Sequence, residues 1–259
     1  MATINLSAPD WCFFKPHYKP ADYYRNLARI GYTCVEMVDP ARRESAKAAG
    51  LSIINMSGPG MTEGLNRADN HPALIPALTA AIDEAGRNGI GQLIVFSGNT
   101  GGQDRAAGLD NCISAISGLV PRALKNGVTL VFEMLNSFDH PGYMADRGAF
   151  GFDIVKAIAS PCVKVLYDIY HMHRMGEDVM KDLAGNLPHI AHLHIAGSPK
   201  RDFPGADQQV DYAEIVRLLV ARGYAGSWGM EFVPARDSLD ELEKAARLFQ
   251  SYAAGCSNS

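Results

Sequence analysis

The sequence predicts an α/β protein, a (β/α)8 barrel, and three observations carry that expectation. Short β-branched runs alternate eight times with longer segments of helical period, the pattern of parallel strands joined by crossover helices. The 259 residues match the roughly 250 that such a barrel takes, so residues 1–259 read as one barrel domain. Each of the last four runs carries an ionisable residue at or just past its end, which is costly in a barrel core and natural at its C-terminal mouth.

In order, the strands read as Thr3–Ser7, Cys34–Val38, Ser52–Met56, Gln92–Ser97, Thr129–Met134, Val163–Tyr167, Ala191–Ile195 and Ser227–Phe232. Most are apolar on both faces, as buried parallel strands must be. Helices fill the gaps and several of their ends are marked. Pro20 opens the first helix and Gly31 closes it, Asn126-Gly127 closes the fourth, and Gly223 follows the seventh. A base and a glycine recur before strands at Arg29-Ile30-Gly31, Arg87-Asn88-Gly89, Lys125-Asn126-Gly127 and Arg222-Gly223. Two long connections, Ser57–His71 and Ala196–Asp211, follow strands and so belong to the mouth where barrel active sites are built. A doubly wound open sheet is the competing architecture; the lack of a Gly-x-Gly-x-x-Gly turn after the first strand counts against its dinucleotide-binding form.

Composition narrows the function classes. Apolar residues make up 47% and charged residues 20%, enough for a sizeable core. A net charge of −4 lacks the basic excess that gripping phosphate backbones requires, so no nucleic-acid partner is expected. The five cysteines are odd in number, scattered and without a Cys-x-x-Cys pair, which fits a reducing cytoplasmic setting. Met1–Asp10 has no export signal pattern and no apolar run approaches the roughly 18 residues that span a bilayer, so no membrane partner is expected. A homo-oligomer is compatible with the sequence.

The strand-end residues are Glu133, Asp168, His194 and Glu231. Any one of them alone reads more naturally as a surface or ion-paired residue. Four in succession read differently, because strand tilt aims such side chains at one axial point, and three converging carboxylates repel unless a cation lies between them. Three carboxylates and an imidazole suit Mn2+ or Mg2+ and tolerate Co2+, whereas structural Zn2+ would recruit cysteine. An octahedral ion with four protein ligands keeps two positions for a carbonyl oxygen and its neighbouring hydroxyl.

Phe132-Glu133-Met134-Leu135-Asn136, Leu166-Tyr167-Asp168-Ile169-Tyr170-His171-Met172, His192-Leu193-His194-Ile195-Ala196-Gly197 and Met230-Glu231-Phe232 resemble the hydroxypyruvate isomerase branch of the xylose isomerase-like TIM barrel superfamily. The resemblance runs through Leu65-Asn66-Arg67, Ile94-Val95-Phe96-Ser97-Gly98 and Asp139-His140-Pro141-Gly142-Tyr143 as well. It implies that Glu133 and Glu231 are both ligands and acid/base catalysts, while Asp168 and His194 only hold the metal. It implies a metal-dependent isomerase that interconverts aldehyde and ketone forms of a small hydroxy-carbonyl acid or sugar through a metal-stabilised cis-enediolate. His171 would then hydrogen-bond a substrate oxygen and Arg201 would pair with a substrate carboxylate or terminal hydroxyl. Trp11 and Phe13 are candidates for a pocket wall, against the commoner reading of such aromatics as core.

The resemblance departs in two places. Histidine stands at position 194, where hydroxypyruvate isomerases usually carry glutamine and ketose 3-epimerases carry histidine, and Asp202-Phe203 follows Arg201 where His-Glu is usual. A ketose 3-epimerase or a dehydratase of a polyol ketone would use the same metal and proton abstraction. An abasic-site endonuclease would need histidines at the ends of strands three and four, where Asn55-Met56-Ser57 and Phe96-Ser97-Gly98 offer none. His17, His140, His173 and His189 lack partners at ligand spacing, and His192 is assigned to the strand face opposite His194. Glu36, at the end of the second strand, is expected to reach the mouth or to pair with a neighbouring helix.

Overall fold

The computed structural model describes residues 3–256. Eight strands run in sequence order around a closed barrel: β1 (Asn5–Pro9), β2 (Cys34–Glu36), β3 (Ser52–Ser57), β4 (Gln92–Phe96), β5 (Thr129–Glu133), β6 (Val163–Asp168), β7 (Ile190–Ile195) and β8 (Ser227–Met230). The expected fold class is therefore the observed one. The chain divides into two compact units.

The first unit comprises residues up to 54, residues 178–187 and those from 192 onward. Here β1 pairs in parallel with β2 and with β8, and β7 pairs with β8. The strands bury Leu6, Val35, Leu193 and Trp228, and Trp228 meets Phe249 of helix Ser238–Gly255 edge-on at 6.5 Å. The second unit comprises residues 55–177 and 188–191, with β3–β4, β4–β5 and β5–β6 paired in parallel. Leu130, Phe132 and Val165 are fully buried there, and Phe132 stacks on Phe150 of helix Gly148–Ile158 at 6.1 Å.

The helix boundaries follow the local chemistry. Pro20 is the first residue of helix Pro20–Ile30, and Gly31, Gly127 and Gly223 adopt the left-handed conformation at or just beyond helix ends. Each of the eight strands differs from expectation by one or two residues at one end or both, because pairing, not β-branched content, sets the ladder. β1 begins at Asn5, which pairs with Ser227, so Thr3 lies before it. β8 ends at Met230 because the chain beyond turns to other partners: the Glu231 N–H donates to the Ile195 carbonyl and the Val233 N–H to the Arg201 carbonyl. A four-residue helix, Asp10–Phe13, follows β1 and was not expected. Among the described residues no helix is long and apolar enough to cross a membrane.

Candidate metal centre

In the second unit, Glu133 and Asp168 are the last residues of β5 and β6, and both are buried. The Tyr143 hydroxyl ties the end of β5 to that of β4, donating to the Glu133 carbonyl at 3.2 Å and accepting the Ser97 N–H at 3.1 Å. Asp168 caps helix Ile169–Arg174, its Oδ1 accepting the His171 N–H at 2.9 Å. That cap brings His171 back over the strand end, with Nε2 3.6 Å from Asp168 Oδ2. The ring is oriented from its other side: the Asn136 backbone N–H donates to Nδ1 at 3.0 Å and the Asn136 amide lies 2.6 Å from the same atom. His171 is fully buried, so the residue expected to meet substrate is first of all packed against Asp168.

In the first unit, Glu231 follows β8 and is 4% exposed. Its carboxylate accepts the Trp11 indole N–H at 2.9 Å and the Arg201 guanidinium at 2.6 Å, and lies 3.1 Å from His194 Nδ1. Burial pushes its acidity toward weakness, but His194, Arg201 and the Trp11 hydrogen bond more than offset this and hold the carboxyl well below the usual carboxylate range. Arg201 also lies over the Trp11 ring, 5.1 Å from its centroid. Arg201 adopts a left-handed backbone (φ 57°) at the tip of a tight loop closed by the Gly197 N–H on the Asp202 carbonyl. Asp202-Phe203 thus serves the loop itself, Phe203 meeting Phe232 edge-on at 5.6 Å. Trp11 is 51% exposed, whereas Phe13 is fully buried against Phe232 at 4.9 Å and belongs to the core.

The family described as "Xylose isomerase-like TIM barrel" matches residues 24–252. The chain belongs to that family. It is 26% identical to the 2-oxo-tetronate isomerase of Cupriavidus necator over 230 residues, 82% of this chain and 86% of that one. It is 29% identical to the hydroxypyruvate isomerase of Escherichia coli over 111 residues, 43% of each chain. Among solved structures of this xylose isomerase-like fold, one described as an AP endonuclease, family 2, from Brucella melitensis superposes with a TM-score of 0.85 over 95% of this chain and 99% of that chain. At 22% identity the likeness shows the fold alone.

Against the xylose isomerase-like framework, two expectations about individual residues need correction. His192 does not face away from His194. Residues two apart on a strand share a face, and both rings direct Nε2 at one oxygen of Glu36, each at 2.9 Å. Glu36 is instead held by strand residues: it is fully buried and takes a third hydrogen bond, from the Ser7 hydroxyl of β1 at 2.6 Å. Burial would push its carboxyl up, but the two histidines more than offset this and hold it well below the ordinary range. The i, i+2 spacing of the histidines and the strand-end position of Glu36 were the signals in the sequence for this cluster.

Proposed function

We propose that this isomerase interconverts aldehyde and ketone forms of a small hydroxy-carbonyl acid or sugar, and that Glu133, Asp168, His194 and Glu231 hold one divalent cation for it. The observation that carries the reading is that the buried ligand candidates stand at strand ends in both units, Glu133 and Asp168 closing the paired strands β5 and β6, and His194 on β7 lying 3.1 Å from Glu231, which follows β8. The donor set fits a hard cation: three carboxylates and one imidazole supply mostly oxygen, and so many buried carboxyls need a positive charge among them. Mn2+ or Mg2+ suits it best, and Co2+ would substitute. Held by these residues, such an ion would polarise a substrate carbonyl and offset the negative charge that proton removal leaves on the substrate. The relatives described as isomerases of a 2-oxo-tetronate and of hydroxypyruvate support a short hydroxy-acid substrate.

Within that reading Glu133 and Glu231 remove and return the proton. Glu231 is held as the ionised, proton-accepting carboxylate by the Arg201 guanidinium and the Trp11 indole N–H. Arg201, resting on Glu231, is placed to exchange that carboxylate for one on the substrate, and the open face of Trp11 walls the same spot. His171 bonds a substrate oxygen near Asp168.

The test is turnover in deuterated water with Mn2+, on hydroxypyruvate, 2-oxo-tetronate and a panel of ketoses. Carbon-bound deuterium gained with aldehyde–ketone exchange, abolished by a chelator and restored by Mn2+, is expected. Exchange with inverted stereochemistry would move the assignment to an epimerase and loss of water to a dehydratase. No metal-dependent exchange on any substrate would overturn the proposal.

A further inference from the structure

The buried cluster beneath Glu231 has a hydrogen-bond logic of its own. Glu36 closes β2, and its two oxygens take three donors: Ser7 on Oε1, His192 and His194 on Oε2. A carboxylate accepts and does not donate, so each imidazole must present Nε2 as an N–H. For His194 this leaves Nδ1 on the far side of the ring, 3.1 Å from Glu231 Oε2. The rings of His192 and His194 meet edge to face, 86° apart with centroids at 5.0 Å, so neither turns without displacing the other. The wall opposite them is the bare backbone of Gly229. A Cβ there would lie 2.4 Å from Glu36 Oε1, 2.7 Å from His194 Cδ2 and 3.0 Å from His192 Nε2.

We infer that Glu36 is the positioning residue of the centre: by accepting the Nε2 hydrogen it fixes His194 in the tautomer and orientation whose Nδ1 serves as a metal ligand. Ser7 and His192 hold the Glu36 carboxylate in register for that purpose. This rests on the proposed metal centre and extends it to three residues that touch neither cation nor substrate. A carboxylate on the outer nitrogen of a ligating histidine fixes the ring and raises its basicity, and losing such a partner costs about 10–100-fold in metal affinity.

The experiment compares the full-length wild type with Glu36→Gln and Ser7→Ala. Mn2+ binding is titrated by electron paramagnetic resonance, the visible spectrum of the Co2+ form is recorded at saturation, and the metal-free proteins are melted. Glu36→Gln is expected to stay folded without metal, to weaken Mn2+ binding by about 10–100-fold and to shift the Co2+ absorption. Ser7→Ala removes only the hydroxyl on Oε1; it is expected to weaken binding severalfold, and it gives the answer if Glu36→Gln does not fold. A merely structural role would lower the melting temperature and leave affinity and spectrum unchanged, which would overturn the inference while the metal centre stood. Two bound equivalents in the wild type with one lost in Glu36→Gln would also overturn it, since Glu36 would then be a ligand. A wild type that binds no Mn2+ would overturn the metal centre and this inference together.

Discussion

Gly229→Ala isolates the role of the bare backbone beside Glu36. Gly229 lies inside β8 and does not have a positive φ, so alanine meets no backbone penalty there. By entropy alone the change would stabilise the protein by about 0.4–1 kcal/mol. Space decides the opposite sign. Contacts of a Cβ below 3.0 Å are essentially never seen, and the new methyl would stand 2.4 Å from Glu36 Oε1. The carboxylate must then retreat by about 0.6 Å at least, in a fully packed interior where such overfilling costs about 1–3 kcal/mol. The same shift strains the Ser7 bond and the two histidine bonds, and losing one hydrogen bond to a charged group costs about 1.5–3 kcal/mol. The net expectation is a loss of about 2–4 kcal/mol, or roughly 5–15 °C in melting temperature for a chain of this size. Urea unfolding followed by fluorescence and circular dichroism checks both the magnitude and two-state behaviour. Gly118→Ala is the control, since that glycine lies in helix Arg105–Asn126 with open space where the methyl would go. If Gly229→Ala unfolds within about 0.5 kcal/mol of the wild type, the packing argument fails.

Glu133→Gln and Glu231→Gln are each expected to lower turnover by about 10²–10⁴-fold or more, measured at saturating Mn2+; normal turnover in both would end the acid/base assignment. Arg201→Ala is expected to raise KM for acid substrates more than it lowers kcat. It also has a pH signature. Arg201 helps hold the folded-state Glu231 carboxyl below its unfolded value, so this stabilisation is complete above the ordinary glutamate range and fades as pH falls toward the folded value. The stability gap between wild type and Arg201→Ala should therefore be full at neutral pH and close in acid, as read by urea unfolding along a pH series. Tyr143→Phe removes the hydroxyl that serves the Ser97 N–H and the Glu133 carbonyl, and is expected to cost about 1–3 kcal/mol in the same assay.

The barrel was legible because parallel strands covered on both faces leave a simple trace, a short apolar run closed by a turn residue. The four ligand candidates stood out for a related reason: one ionisable residue at the end of such a run is commonplace, but four on successive runs are not. Glu36 has the same trace but arrives after only two apolar-paired residues of a three-residue strand, and its partners lie 156 and 158 positions away on β7. That distance is closed by the barrel and not by local sequence. His192 was misassigned where strand periodicity, applied consistently, places it beside His194. Asp202-Phe203 registered only as a departure from the usual His-Glu, because composition does not reveal a loop that bonds to itself through Gly197. Arg201 could be singled out by resemblance, but not its seat on Glu231, which depends on a left-handed backbone at one residue.

That seat also bears on timing. The backbone around Arg201 is stitched at the Gly197–Asp202 closure, by the Val233 N–H on the Arg201 carbonyl and by the Gln209 N–H on the Ser198 carbonyl. The guanidinium can swing while the strap that carries it stays still. Rotamer flips of exposed side chains take about picoseconds to nanoseconds, and breaking the Arg201–Glu231 ion pair adds to that, whereas lids and domains move in about microseconds to milliseconds. Within the proposed function, a substrate carboxylate that replaces Glu231 on Arg201 needs one side chain to move and no lid, so its entry is not tied to the slower motions of lids and domains.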